Sequence, residues 1–151
     1  MCLVEGNSLR ATTRMTGTHR GGIQKLLVEL GAVCSAYQDK VFRNLEFTRI
    51  QCDEIWAFVG CKQRNVKTTE HMRNGWGDVC HQHISTSFTE RQNLTMRMSM
   101  RSFTRLTNAF SKKIENHEAA VALHFMHYNF ARVHQTLRVT PAMEAGVSDH
   151  V

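Results

Sequence analysis

The sequence predicts an α+β fold that is predominantly helical and has few strands. Residues 7–31 and 115–132 carry apolar side chains at helical spacing. Residues 48–59 are instead rich in Ile, Val, Trp and Phe, which is typical of a strand. The chain has 151 residues, a length that suits one domain with a small appendage.

Residues 7–31 predict two helices around a tight turn at Thr16-Gly17. Asn7 or Ser8 can cap the first helix, and Thr18 can cap the second. We expect the second helix to end at Gly31, because glycine readily adopts the left-handed conformation found at helix ends. Apolar residues of this helix recur at i, i+3, i+4 and i+7, and these are Ile23, Leu26, Leu27 and Leu30.

A short helix, a glycine turn and a second helix are the parts of a helix-turn-helix DNA-binding motif. The second helix of that motif enters the major groove with its N-terminal residues first. The polar residues that would face outward and contact DNA are His19, Arg20, Gln24 and Lys25. Arg20 can pair with a guanine edge or a phosphate, and Gln24 with an adenine edge. The alternative is an ordinary helical hairpin, since Gly21-Gly22 costs about 2 kcal/mol of helix propensity.

The formal net charge of +6 is concentrated in two blocks. Residues 1–52 carry seven Lys/Arg against four Asp/Glu, and residues 88–113 carry six against one. Arg97, Arg101 and Arg105 recur every four residues and would line one face of a helix. The remaining basic residues of the second block are Arg91, Lys112 and Lys113. Such blocks are the electrostatic footprint of a polyanion partner, and a solvated helix face is the alternative.

Residues 88–100 and 115–132 predict two further helices, and Thr140-Pro141 opens a last short helix that Gly146 closes. Several other side chains are predicted to pack in the interior rather than to bind a metal or a cofactor. They are Met96, Met98 and Met100, which suit core filling, and His117, His124, His127 and His134, which suit half-buried positions.

Three segments have a pattern in common with one known family. They are 49–58 (RIQCDEIWAF), 87–93 (SFTERQN) and 128–137 (YNFARVHQTL). Together they resemble an IS1-like insertion-sequence transposase, whose catalytic domain is an RNase H-like DDE fold, and residues 3–17 look like the N-terminal region of that family. The resemblance implies a helix-turn-helix DNA-binding region over 1–46. It also implies a truncated remnant of the DDE core over 47–151.

The resemblance also implies that Asp53 and Glu90 are the first and third catalytic carboxylates. They would hold Mg²⁺ or Mn²⁺ for phosphodiester hydrolysis and strand transfer. Without the resemblance, Asp53 would simply end a strand in solvent, and Glu90 would suit the first turn of a helix. The two residues are 37 positions apart, and the segment for a second catalytic aspartate is missing. We therefore expect a clipped, internally deleted transposase that binds insertion-sequence ends but lacks catalysis.

Three alternatives stay open at this point. A regulatory DNA-binding protein would compete with intact transposase and could associate with it or with a second copy of itself. An active metal-dependent nuclease would take its missing ligand from Asp78 or from a partner subunit. A decayed gene product would have no stable fold.

The chain has no run of about 18 apolar residues, so no membrane span is predicted. Its first residues lack the basic start and long apolar stretch of a signal peptide. We therefore expect a cytoplasmic protein whose partner is DNA rather than a membrane.

Overall fold

The computed structural model describes residues 2–46, 55, 87–104 and 111–151. Within these residues the chain is predominantly helical and forms no β-strand, so the helical character of the predicted fold is confirmed. The strand predicted at 48–59 lies outside the described residues except for Ile55. That strand therefore stays a prediction.

The described residues form five α-helices. They are α1 (Leu9–Thr16), α2 (Arg20–Val41), α3 (Ser87–Ser99), α4 (Ile114–Met126) and α5 (Pro141–Glu144). A 3₁₀ helix at Arg101–Phe103 follows α3, and a π-helical turn at His127–Ala131 continues α4. None of the described helices combines the length and the apolar character that a membrane crossing requires.

The first helix begins and ends where the sequence predicts. The Ser8 side chain caps α1 by accepting a hydrogen bond from the Ala11 N–H at 3.1 Å. At the other end Gly17 has φ +71°, and its N–H donates to the Thr13 carbonyl at 2.9 Å. The left-handed glycine reverses the chain and leads directly into α2.

The cap of α2 is His19 rather than Thr18, so that prediction was wrong. The backbone is still extended at His19, and its ring Nδ1 accepts the Gly21 N–H at 3.1 Å. Thr18 instead donates its own N–H to the Thr16 side-chain oxygen at 3.2 Å. The helix therefore starts one residue later than its most obvious capping residue indicates.

The prediction that the second helix ends at Gly31 was also wrong, because α2 continues to Val41. Gly31 is buried in the middle of the helix, where the backbone of α4 approaches it closely. A β-carbon at Gly31 would overlap the Cα and Cβ atoms of Ala119 and lie 2.7 Å from its carbonyl oxygen. The glycine therefore permits close helix packing rather than chain reversal.

The packing of α2 on α4 is the largest contact between described helices. Beyond Gly31, the Gln38 Nε2 donates to the Ala122 carbonyl at 3.0 Å. Tyr37 and Phe42 both pack on Phe130, with ring centroids 5.5 Å apart in each pair. These contacts advance along both helices in the same direction, so α4 and its π-helical turn follow the course of α2.

The apolar stripe predicted on α2 is divided between the core and the surface. Ile23 and Leu27 are buried, whereas Leu26 is 50% and Leu30 is 41% exposed. Successive helical residues are about 100° apart, so Leu26 and Leu27 cannot face the same neighbour. The buried row consists of Ile23, Leu27, Gly31 and Cys34.

A second apolar cluster lies at the end of α3. Met96, Met100 and Phe103 are buried together, and Ile55 and Phe125 pack against them. Met98 is 73% exposed, so its predicted place in the core was wrong. It is two residues from both buried methionines, which places it on the other side of the helix.

The N-terminal segment packs closely on the end of α3, and the last helix is capped at both ends. Gly6 has φ +69°, and a β-carbon there would lie 2.8 Å from the Met98 carbonyl oxygen, so the segment approaches the end of α3 closely. Thr140 caps α5 by accepting the Met143 N–H at 3.2 Å. Gly146 has φ +68° and donates its N–H to Met143, which confirms the predicted close of this helix.

Candidate nucleic-acid interface

A basic groove of about 550 Å³ lies where α1 and α2 meet residues 100–102 and 111–116. Four cationic side chains line it, and they are Arg10, Arg20, Arg101 and Lys112. All four are exposed, and no Asp or Glu is among the described residues that line the groove. We call this feature the basic groove below.

Each cation of the basic groove lies at or just before the start of a helix. Arg10 lies in the first turn of α1, next to the Ser8 cap. Arg20 is the first residue of α2, directly after the His19 cap. Arg101 opens the 3₁₀ helix that the buried Phe103 anchors, and Lys112 lies two residues before α4. The positions of the charges are therefore set by the helix packing.

The cations of the basic groove have no ion-pair partner among the described carboxylates. By contrast, Lys25 lies 3.8 Å from Glu29 on the exposed side of α2. Four unpaired like charges around one groove repel one another, and the repulsion decreases when an anion enters. The charge around the groove therefore favours a negatively charged ligand over a cation.

The four predicted DNA contacts of the second helix do not all face one way. Arg20 and Gln24 both line the basic groove, one helical turn apart. Lys25 follows Gln24 by about 100° around the helix and pairs with Glu29 instead. His19 is exposed, and its ring Nδ1 is used to cap the helix.

The predicted arginine stripe of the second basic block is interrupted. Helix α3 ends at Ser99 and the backbone is extended at Met100. The prediction that Arg97 and Arg101 share one helical face was therefore wrong. Arg101 enters the basic groove, whereas Arg97 remains half-buried on α3. Arg91 is exposed on α3, and Arg105 lies outside the described residues.

Sequence reasoning did not identify Arg10 as a site residue. The helix-turn-helix prediction placed the DNA contacts of the N-terminal region at His19, Arg20, Gln24 and Lys25, and it placed none in the first helix. The sequence did contain a signal for basic residues outside the second helix. Residues 1–52 carry seven Lys/Arg against four Asp/Glu, and this excess of positive charge is larger than the excess within α2. Neutral polar groups that line the groove were missed as well, and they are Asn7, Ser8, Ser102, Ser111 and Asn116.

Of the two proposed catalytic carboxylates, the structure places only Glu90. It is exposed in the first turn of α3, and Asp53 lies outside the described residues. Nowhere in the described ranges do three His, Cys, Asp or Glu side chains come together as a metal would need.

His124 is the most deeply buried ionisable group described in α4. The residue is only 3% exposed, and neither ring nitrogen has a hydrogen-bond partner. Burial, and then the neighbouring charges of His127 and Arg132, lower the pKa of His124 to about 4. The ring is therefore neutral at pH 7. His117, His127 and His134 lie half-buried, as predicted, but the prediction was wrong for His124, which is fully buried.

A second cavity, of about 650 Å³, differs in character from the basic groove. It lies between the N-terminal segment, α2 and the end of α4, and its walls include Leu26, Leu30 and Phe130. Cys2 and His127 are the ionisable residues among its described walls. Helices α1 and α2 therefore line two cavities of different character, one apolar and one basic.

Comparison of the chain with protein-family models, with curated proteins and with solved structures found no match. The resemblance to IS1-like transposases is thus carried by the sequence alone, through segments 3–17, 49–58, 87–93 and 128–137. The geometry that bears on function is that of the basic groove.

Proposed function

We propose that this chain is a DNA-binding protein derived from an IS1-like transposase, and that it binds DNA without catalysing phosphoryl transfer. The observation that carries the proposal is the basic groove, where four cations from distant parts of the sequence meet and no described lining residue is Asp or Glu. A protein that neutralises phosphates with Lys and Arg gains affinity by releasing condensed counterions.

Two independent features favour DNA as the polyanion. The net charge of +6 is concentrated in the two sequence blocks that supply the groove cations. In addition, α1, the turn at Gly17 and α2 follow one another as a short helix, a turn and a long helix, which is the order of parts in a helix-turn-helix motif. Arg20 and Gln24, which the sequence analysis assigned to DNA, line the same groove as Arg101.

The absence of catalysis follows from the count of carboxylates. Transfer of a phosphoryl group by two metal ions needs several carboxylates at fixed positions around them. The resemblance supplies Asp53 and Glu90 and leaves out the intervening aspartate. Mg²⁺ or Mn²⁺ would be held by these two residues and would supply the Lewis acid for hydrolysis, but the ligand set is incomplete.

Two measurements on the purified full chain test the proposal. Fluorescence anisotropy with a labelled duplex should show binding that weakens steeply as salt rises from about 50 to 200 mM. A plasmid-cleavage assay with Mg²⁺ or Mn²⁺ should show no cleavage, and Asp53→Asn should leave duplex binding unchanged. Failure to bind at low salt would contradict DNA binding. Cleavage that Asp53→Asn abolishes would contradict the loss of catalysis.

A further inference from the structure

We propose that the basic groove holds the sugar–phosphate backbone of duplex DNA and that bases are not read there. This inference rests on the proposed DNA binding and specifies which part of the nucleic acid the groove takes. It differs from the helix-turn-helix expectation, in which the first turn of α2 inserts into the major groove and reads base edges.

The charge arrangement favours phosphates over bases. Arg20 at the start of α2 lines one groove with Arg10 from α1 and Arg101 from the 3₁₀ helix. Base edges are recognised by isolated bidentate side chains that enter a groove of the DNA. Several cations from different elements around one concave surface instead match a row of phosphates, which position a protein without conveying sequence.

The neutral groups of the basic groove fit the same ligand. Its polar lining includes Asn7, Ser102 and Asn116, whose side chains can donate hydrogen bonds to phosphate oxygens. Apolar side chains such as Leu3 and Leu9 also line it and can contact deoxyribose. The lining thus offers partners for charged, polar and apolar parts of the backbone.

Unpaired bases are a poorer match. Proteins that bind single strands stack successive bases on aromatic side chains. None of the described residues that line the basic groove is Phe, Tyr, Trp or His. The groove therefore lacks a stacking surface in its described part, and this favours a duplex, whose bases remain stacked on one another.

The location of Gln24 follows from the same geometry. Gln24 is half-buried and lies beside the buried row of α2, one turn after Arg20. A side chain in that position lines a cavity rather than projecting beyond the protein surface. We therefore assign Gln24 to the wall of the basic groove, together with the phosphate-binding cations.

A salt series on single-cation variants tests this inference. With four phosphates neutralised, the slope of log affinity against log salt should be about −3.6 for duplex DNA. Arg20→Ala and Arg101→Ala should each reduce that slope by about 0.9 and weaken binding equally for unrelated duplex sequences. The matched control is Lys40→Ala, which removes one exposed cation from the far end of α2 and should leave the slope unchanged.

The outcomes separate the two levels of the proposal. Loss of sequence preference in Arg20→Ala with an unchanged slope would show base reading and overturn the inference. Tighter binding to a single strand of equal length, or an equal slope change in Lys40→Ala, would overturn it as well. The proposed function would survive all three results, because duplex DNA is still bound. Absence of any duplex binding by the unaltered chain would instead refute both.

Discussion

The contact between α2 and α4 and the basic groove lie on the same helix and are built in opposite ways. At Gly31 the backbone of α2 lies directly against Ala119 of α4, and both residues are buried. At Arg20, eleven residues earlier, exposed like charges surround open space. Residues at the first place stabilise the fold, whereas those at the second repel one another until an anion binds. One helix therefore joins a tightly packed region to the region proposed to bind DNA.

The largest expected effect lies at the packed end of this comparison. Gly31→Ala places a methyl group against the backbone of Ala119, so the helices must move apart. We expect the free energy of unfolding to fall by about 2–3 kcal/mol. Chemical denaturation monitored by circular dichroism measures this change.

Gly22→Ala is the matched control on the same helix. A β-carbon there would lie 3.7 Å from the Thr18 methyl carbon, which is an ordinary contact. Because alanine favours the helix more than glycine does, we expect stabilisation by about 0.5–1 kcal/mol. Equal effects of the two substitutions would contradict the close approach at Gly31.

A second effect concerns His124, which is buried in α4. Its pKa in the folded chain is lowered to about 4, below the value of about 6.5 in the unfolded chain. Between these pH values the unfolded state binds more protons, so the free energy of unfolding falls as pH falls from 6.5 to 4. We expect this residue to contribute about 2 kcal/mol to that loss, after allowing for solvent screening.

His124→Phe removes the titrating group while retaining an aromatic ring. Denaturation curves of both proteins are recorded at about pH 7, 5 and 4. The difference between the two proteins in how far the free energy of unfolding falls gives the contribution of His124. The variant should lose less stability on acidification, and at pH 7 it should be no less stable, because neither ring nitrogen has a partner. Parallel pH curves would contradict the burial of a neutral histidine.

Ser8 has a role in both the fold and the basic groove, since it caps α1 and lines the groove. Ser8→Ala should lower the free energy of unfolding by about 1 kcal/mol and change DNA affinity little. Ser8→Asp should keep the cap and the stability, because Asp is also a favourable capping residue. Its negative charge in the groove should weaken DNA binding. Anisotropy and denaturation on both variants check this separation, which equal losses of affinity would contradict.

The smallest expected effect on stability lies in the basic groove itself. Arg10→Ala and Arg101→Ala remove exposed side chains that make no ion pair with a described carboxylate. We expect each to change the free energy of unfolding by less than about 0.5 kcal/mol. A loss well beyond that in denaturation experiments would mean that these cations hold the fold together.

Local signals in the sequence were sufficient for several elements. Ser8, Gly17, Pro141 and Gly146 determine helix ends through their own backbone chemistry, and each does so in the structure. The end of the second helix was mispredicted because Gly31 has two physical uses. Whether glycine reverses a chain or admits a neighbouring helix depends on what lies 88 positions away at Ala119, which local patterns do not contain.

The same limit applies to the binding surface. Arg20 and Gln24 were selected from a motif, and both line the basic groove. Arg101 was selected for a regular spacing, but it reaches the groove only because α3 ends at Ser99. Lys112 and Arg10 join them through tertiary packing. Sequence spacing therefore identified the kind of charge involved, and the fold determined which charges meet.

A comparison of two triple variants with equal net charge tests the role of the basic groove most directly. One replaces Arg10, Arg20 and Arg101 by alanine, and the other replaces three exposed cations outside the groove, which are Arg14, Lys40 and Arg43. Duplex affinity is measured for both at one low salt concentration. If the groove binds the DNA backbone, only the first variant loses most of its affinity. Equal losses in both variants would show that net charge alone attracts DNA, and this result would contradict a defined site.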